Sequence, residues 1–316
     1  MTETLPQTEG RIPFKGHSTW YTIVGEGEEP GKAPLLLLHG GPGGAHDYME
    51  SMGELARGGR RVIMYDQLGC GKSPVPSNPD MWTVELFVEE VDVVRQALGL
   101  ERLHILGQSW GGMLGMEYAL TQPEGVESMV ICDSPARMDL WVEEANRLRA
   151  ELPPDVQATL LEHEQAGTTD DPAYEEACLV FYNHHVCRVP WSESVTRSFA
   201  QMPNEVYMTM NGPSEFHCIG TLRTWDVTPR LGEISIPTLV ISGRSTRPRR
   251  ASPRRSRTAS PGRSGCCSRR ARTCPTRRSP SDSGRWWATS SPRGRPLDCE
   301  EIPHRGRSGF DTVDCR

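Results

Sequence analysis

The sequence predicts an α/β fold built on a mostly parallel sheet with an inserted helical cap. Short, continuous apolar runs alternate along the chain with longer segments whose apolar residues recur at helical spacing. Such runs are typical of strands buried on both faces, which requires helices on either side of the sheet. The predicted strands are residues 18–24, 34–38, 61–65, 103–106, 128–132 and 237–242, and the predicted helices between them are residues 83–98 and 113–120.

Residues 135–225 interrupt this alternation. They are polar and helix-rich, and they contain no convincing buried strand. Ligands of open α/β sheets bind at the carboxyl edge of the strands, so an insertion there is placed to cover a site. The sequence therefore predicts a core in two parts, residues 10–134 and 226–244, with a helical cap at 135–225.

The charge of the chain divides at one point. The 316 residues suit one large α/β domain with a cap, and the formal net charge is -6. Residues 1–244 hold 17 Lys and Arg against 35 Asp and Glu, whereas residues 245–316 hold 18 Arg, no Lys and 6 acidic residues. The second part is also rich in Ser, Pro and Gly, which predicts a disordered tail.

Several classes of protein are excluded by composition. No apolar run reaches 18 residues, so no membrane-spanning helix is expected. The first ten residues, MTETLPQTEG, lack a basic start and an apolar stretch, which makes a cytoplasmic location the default expectation. Five cysteines precede residue 245 without a C-x-x-C spacing, which favours reduced thiols. No metal or organic cofactor is expected.

The strongest motif follows the strand at 103–106. Residues 107–112 read GQSWGG and precede a helix, which is the G-x-S-x-G pattern in a strand–turn–helix context. The turn is so sharp that small residues are needed at 107 and 111. It lifts the hydroxyl of Ser109 out of the sheet, at a helix N-terminus that favours developing negative charge.

A glycine-rich loop supplies the second motif. The strand at 34–38 runs directly into HGGPGG, residues 39–44, whose glycines let main-chain N–H groups approach a ligand closely. A phosphate cradle is the competing interpretation, but this loop lacks the Gly-Lys-Ser/Thr ending of a P-loop. Gly71-Lys72-Ser73 has that ending, yet Asp66 stands where the P-loop requires glycine. Together the two motifs predict a serine hydrolase, in which His39 is structural.

With YDQLGCGKS at residues 65–73 and NGPSEF at 211–216, these motifs resemble the proline iminopeptidases of the α/β-hydrolase fold, from about residue 10 to residue 244. The resemblance implies that Ser109 is the nucleophile and that the N–H groups of Gly41 and Trp110 form the oxyanion hole. It also implies that Glu215 binds the free α-amino group of the substrate. A solvated cap residue is the alternative interpretation of Glu215.

The activity implied by the resemblance is release of an N-terminal residue, preferably proline, from a short peptide or an amino-acid amide. The reaction passes through an acyl-enzyme on Ser109. An esterase or lipase-like hydrolase is a second hypothesis, which predicts that blocked N-acyl substrates react as well as free ones. A third is a nucleic-acid-binding protein that acts through the basic tail, which predicts binding with a steep salt dependence.

The sequence as written lacks the other two members expected of the catalytic triad. On the fold that it resembles, an Asp follows the strand at 237–242 and a His comes about 25–30 residues later. Residues 244–250 instead read RSTRPRR, and the only His after residue 244 is His304. The catalytic triad is therefore incomplete, and this copy is expected to be impaired.

A lost base near codon 244 accounts for this tail. Codons permitted for residues 244–250 include CGT TCG ACG AGG CCA CGC CGC, and reading from each third base gives FDEATP, the acid-bearing loop of the family. The same frame over residues 272–292 permits HMPHAEEPERFGAVVGDFLA, which contains a His and an amphipathic closing helix. A genuine basic arm and a divergent enzyme with another base are the competing hypotheses.

Overall fold

A mostly parallel sheet organises the part of the chain that the computed structural model describes, which is residues 4–202, 204–243 and, as backbone alone, 310–312. The strands among these residues are β1 (Gln7–Phe14), β2 (His17–Val24), β3 (Leu35–Leu38), β4 (Val62–Asp66), β5 (Leu103–Gln108), β6 (Val126–Cys132), β7 (Thr238–Ile241) and β8 (Phe310–Thr312). Their order is β1-β2-β4-β3-β5-β6-β7-β8. β1 and β2 pair antiparallel, and β3 to β8 are mutually parallel.

The α-helices of the described residues are α1 (Val84–Ala97), α2 (Trp110–Leu120), α3 (Met138–Arg149), α4 (Pro154–Ala166), α5 (Pro172–His185), α6 (Glu193–Phe199) and α7 (Glu205–Met210). A 13-residue segment of 3₁₀ character occupies His46–Gly58, and short 3₁₀ turns occupy Pro79–Met81, Thr221–Thr224 and Thr228–Glu233. No helix among the described residues combines the length and apolar character needed to cross a membrane.

The central strands are buried on both faces, as their continuous apolar runs predict. Leu36 and Leu38 of β3 pack into a core with residues of α1 and α2, whereas Leu35 and Leu37 pack on the opposite face against His46–Gly58. Because successive strand residues point to opposite faces, a helical layer on each side buries the whole run. The predicted fold class is confirmed.

β1, the segment His46–Gly58 and β8 were not predicted from the sequence. β1 contains Gly10 and Pro13, which weaken a strand pattern and are tolerated because β1 lies at the edge of the sheet. The segment His46–Gly58 carries too many polar residues to stand out as a core helix. β8 adds to β7 within the predicted disordered tail, and the rest of residues 245–316 lies outside the described residues.

The helices α3 to α7 lie between β6 and β7 in the chain. α3, α4 and α5 share a core of their own with Phe216, in which Leu160, Tyr174 and Phe181 are also nearly fully buried. Asn204 joins this region to the loop that follows β3: its Oδ1 accepts from the Tyr207 amide (3.0 Å) and its Nδ2 donates to the carbonyl of Gly43 (2.6 Å). α7 is therefore fixed directly beside the glycine-rich loop.

Candidate active site

Ser109 lies at a strained turn between β5 and α2, which we call the elbow (residues 107–112). Its φ of 53° and ψ of -123° fall outside the regions that non-glycine residues ordinarily adopt. The Ser109 amide donates to the carbonyl of Cys132 (2.9 Å), and its carbonyl accepts from Gly112 and Met113. The sheet on one side and the helix on the other hold this backbone in place, which leaves the side chain partly exposed.

The glycines of the elbow are required by their surroundings. A Cβ on Gly107 would lie 2.1 Å from the carbonyl oxygen of Gly111, and a Cβ on Gly111 would lie 1.9 Å from the carbonyl oxygen of Leu38. Both distances are far below van der Waals contact, and the opposing atoms belong to the backbone. The elbow therefore packs directly onto the end of β3.

Gly111→Ala is expected to destabilise the protein by more than about 3 kcal/mol, because β3 cannot move away from the new methyl group. Gly115→Ala in the same helix is the matched control: the nearest atom to its Cβ would be the sulfur of the flexible Met129 side chain, at 3.2 Å, and the other neighbours lie at ordinary contact distance. Urea unfolding of both variants measures the difference. Equal free energies of unfolding for the two would contradict the packing described here.

The oxyanion loop (residues 39–44) begins where β3 ends, beside the elbow. Gly41 has a φ of 124°, and a Cβ there would meet the amide of Gly44 at 2.5 Å. Among the hydrogen bonds of the described residues, neither the amide of Gly41 nor that of Trp110 has an acceptor. Because Gly41 and Trp110 line the same pocket as Ser109, these two N–H groups suit an oxyanion hole.

His39 is fully engaged by its neighbours. Its Nδ1 contacts the carbonyl oxygen of Gly40 (2.9 Å), and its Nε2 accepts from the Gln67 amide (3.0 Å). Burial lowers the pKa of His39, so the ring is neutral and donates through Nδ1. With both nitrogens occupied, His39 is a structural residue, as the sequence analysis expected.

Glu215 enters the pocket from the segment that follows α7. The Tyr207 hydroxyl donates to its Oε1 at 3.1 Å. Burial raises the pKa of Glu215 to about 7, and the bond from Tyr207 opposes that rise. A carboxylate in this setting gains from a cationic partner, which a solvated surface residue would not.

The backbone around Glu215 is fixed by three side chains of the cap. The Trp141 indole donates to the carbonyl of Glu215 (3.0 Å), Asn146 donates to that of Phe216 (2.9 Å), and Asn211 donates to that of Ser214 (3.0 Å). Three consecutive carbonyls are thus held by two donors from α3 and one from the residue that follows α7. Glu215 is presented on a rigid segment.

One pocket brings together all four residues predicted for the site: Gly41, Ser109, Trp110 and Glu215. The rest of its lining is mainly apolar and consists of Pro42, Met113, Pro135, Met138, Trp141, Asn211 and Leu222. Within this lining Glu215 is the one ionisable side chain, so the described residues supply a hydroxyl, two N–H donors and an anion. The positions expected for the triad Asp and His lie outside the described residues.

A metal-binding donor set occurs elsewhere but is already occupied by protein partners. His46, Asp47 and Glu50 place one potential ligand atom each within 4.8 Å of one another. The Nδ1 of His46 contacts Asp66 (2.8 Å), and Arg197 binds both Asp47 (3.0 Å) and Glu50 (2.7 Å). One guanidinium therefore already pairs with both carboxylates, and His46 is engaged by Asp66, so these residues do not fit a metal.

Sequence reasoning missed Tyr48, Tyr207 and the role of Gln67. Tyr48 belongs to His46–Gly58, which was not predicted as an element, and it contacts Gly40 and Gln108. Gln67 lies within a motif that carried the family resemblance but received no role. Their contacts span 8 to 60 positions at no regular spacing, so no local pattern identifies them.

Comparison with known proteins gives a consistent result. Residues 33–248 match the alpha/beta hydrolase fold family. The proline iminopeptidase of Lactobacillus helveticus (strain DPC 4571) is 42% identical over 240 residues, which are 74% of this chain and 81% of the relative. That of Clostridium botulinum is 41% identical over 239 residues, which are 75% and 81% of the two chains.

Two solved structures are similar over the same share of the chain. The crystal structure of proline iminopeptidase from Mycobacterium smegmatis is 48% identical with a TM-score of 0.68, and it covers 75% of this chain and 82% of that one. The crystal structure of VinJ is 46% identical with a TM-score of 0.71 at the same coverage. On this identity and coverage, the chain belongs to the proline iminopeptidase family, serine-type aminopeptidases of the alpha/beta hydrolase fold.

Proposed function

We propose that the site described above releases an N-terminal residue, preferably proline, from a short peptide or an amino-acid amide. Ser109 Oγ attacks the first carbonyl carbon, and the N–H groups of Gly41 and Trp110 stabilise the resulting oxyanion. The amine departs with a proton, and water releases the residue from the acyl-enzyme. The observation that carries this proposal is the pocket that joins Ser109 to the carboxylate of Glu215.

Glu215 accounts for the preference for a free N-terminus. Its carboxylate is the one ionisable group of the described pocket lining, and it attracts the ammonium of an unblocked residue. The apolar side chains of Met113, Met138 and Leu222 line the same pocket, which suits a compact apolar ring. The names of the relatives support proline as that residue.

Full activity also requires a base that takes the Ser109 proton. We propose that this base and its Asp partner were encoded in the frame that reads FDEATP after residue 244, and that a lost base near codon 244 removed them. The match to the alpha/beta hydrolase fold family ends at residue 248, close to this point, which supports the proposal. The chain as written then retains binding and oxyanion stabilisation without an activated nucleophile.

The experiment compares proline 4-nitroanilide with N-acetyl-proline 4-nitroanilide on the frame-restored chain. An aminopeptidase cleaves proline 4-nitroanilide but not its N-acetyl derivative, because acetylation removes the ammonium that Glu215 binds. Comparable kcat/KM for the two contradicts the proposal and favours the esterase-like alternative.

Binding of the ammonium is expected to depend on pH through Glu215. Because burial raises the pKa of this carboxyl to about 7, it is mostly protonated at lower pH and cannot pair with a cation. The affinity for L-prolinamide should rise roughly 20-fold from about pH 5.5 to about pH 7.5, and fall again as the ligand amine loses its proton near pH 8. Titration calorimetry measures this on the chain as written, and a flat profile would contradict the role of Glu215.

A further inference from the structure

The two proposed oxyanion donors come from separate segments of the chain. Gly41 lies on the oxyanion loop after β3, and Trp110 lies on the elbow after β5. An oxyanion hole works only if both N–H groups lie about 2.7–3.1 Å from one oxygen, so the spacing of the two segments must be fixed. We propose that Gln67 and Tyr48 are positioning residues that set this spacing by bridging the oxyanion loop to the elbow.

Gln67 forms the first bridge. Its side-chain Nε2 donates to the carbonyl of His39 (3.0 Å), and its Oε1 accepts from the indole Nε1 of Trp110 (2.8 Å). Its own amide donates to His39 Nε2, so three hydrogen bonds join one fully buried residue to both segments. A bridge made of buried hydrogen bonds has little freedom, because breaking any of them leaves a polar group unpaired.

The position of Gln67 is itself fixed by contacts of the next residue, Leu68, with Glu90 of α1. Glu90 of α1 accepts from the amide of Leu68 at 3.0 Å and also from the Thr19 hydroxyl. Both donors to this carboxyl group, Leu68 and Thr19, are buried, and burial raises the pKa of Glu90 to about 8. The turn that carries Gln67 is therefore anchored to a helix and to β2, independently of the two segments that it joins.

Tyr48 forms the second bridge at different atoms of the same two segments. Its hydroxyl accepts from the amide of Gly40 (2.7 Å) and donates to Oε1 of Gln108 (2.7 Å). Gly40 and Gln108 are the residues immediately before Gly41 and Ser109. The Tyr48 hydroxyl thus joins Gly40, which precedes the proposed donor Gly41, to Gln108, which precedes Ser109.

Two bridges between the same two segments restrict rotation as well as separation. A single hydrogen-bonded contact leaves the loop free to pivot about it, whereas contacts at His39 and Gly40 on one segment and at Gln108 and Trp110 on the other fix its orientation. The bonds at Gly40 also direct its peptide group, which is adjacent to the Gly41 amide. Loss of either bridge is expected to misplace the oxyanion donors while the amine site at Glu215 is retained.

This inference rests on the oxyanion role proposed for Gly41 and Trp110, and its test uses two probes. Butylboronic acid has no amine: the Ser109 Oγ–boron bond forms, the hydroxyl proton passes to water, and the anionic boronate places an oxygen in the oxyanion hole. L-prolinamide reports on the amine site instead. Affinities of both probes are measured by calorimetry for the full chain and for Tyr48→Phe, which removes only the bridging hydroxyl.

Tyr48→Phe is expected to lower the affinity for butylboronic acid by about tenfold. The affinity for L-prolinamide should stay within about twofold of that of the unsubstituted chain. Tyr118→Phe is the matched control, because the buried Tyr118 hydroxyl also bonds two partners, Arg95 and Asp92, and touches neither segment. It should lower stability without changing the affinity for either probe. Thermal unfolding of each variant verifies that it is folded.

Gln67→Met provides the second variant, since it keeps the volume and loses both side-chain bonds of the first bridge. It should lower the affinity for butylboronic acid by at least as much as Tyr48→Phe does. Unchanged boronate affinity in the folded variants, equal losses for both probes, or no boronate binding by the unsubstituted chain would overturn the inference. Absence of L-prolinamide binding alongside normal boronate binding would instead contradict the proposed function alone.

Discussion

Insertion of one base at the third position of codon 244 is expected to raise kcat for proline 4-nitroanilide by at least about 10⁴-fold. A serine hydroxyl is a weak nucleophile, and removal of its base leaves only the rate enhancement that binding and the oxyanion hole supply. The restored FDEATP begins after the three residues that follow β7, at the carboxyl edge of the sheet where Ser109 lies. A steady-state assay of the two chains, expressed and purified side by side, measures the gain.

The same insertion combined with Ser109→Ala is the control, and it should remove the gained activity. The restored chain should also unfold in a sharper transition at higher temperature, because the restored closing segment is expected to cover sheet surface that β7 leaves partly exposed at Leu239, Val240 and Ile241. Full activity of the chain as written, with no gain on insertion, would contradict the frameshift proposal.

Glu215→Gln should lower the affinity for L-prolinamide by about 100-fold, roughly 3 kcal/mol of binding free energy, while the protein stays folded. The amide keeps the shape of the side chain and can still accept from Tyr207, but it carries no charge for the ammonium. Loss of the charge also removes the pH dependence of binding between about pH 5.5 and about pH 7.5. Calorimetric titration at three pH values tests both effects.

Glu90→Gln is the matched control for that experiment. Glu90 is a fully buried carboxyl whose pKa burial also raises, but it does not line the pocket. Its substitution should change stability and leave the affinity for L-prolinamide unaltered. If both variants lose affinity equally, the effect of Glu215 is structural, and its proposed contact with the substrate amine is wrong.

The elbow and the oxyanion loop could be predicted from the sequence because their constraints are local. The glycines at 107 and 111 are demanded by a turn of a few residues, and the run Leu35–Leu38 places the loop that follows it at the end of a buried strand. Glu215 was reached only through the family resemblance. Its surroundings in the sequence are polar and do not reveal that the carboxyl faces the same pocket as Ser109.

The sequence by itself determined the parallel sheet, the strand–turn–helix position of Ser109 and the change of composition after residue 244, because periodicity, glycine placement and charge are local properties of the chain. Only the tertiary structure decided which groups meet. Tyr48 and Gln108 are 60 positions apart, and their contact exists because His46–Gly58 packs on the face of the sheet next to β5. Burial then lowered the pKa of His39 and raised those of Glu90 and Glu215, since desolvation depends on what surrounds a side chain and not on its neighbours in sequence.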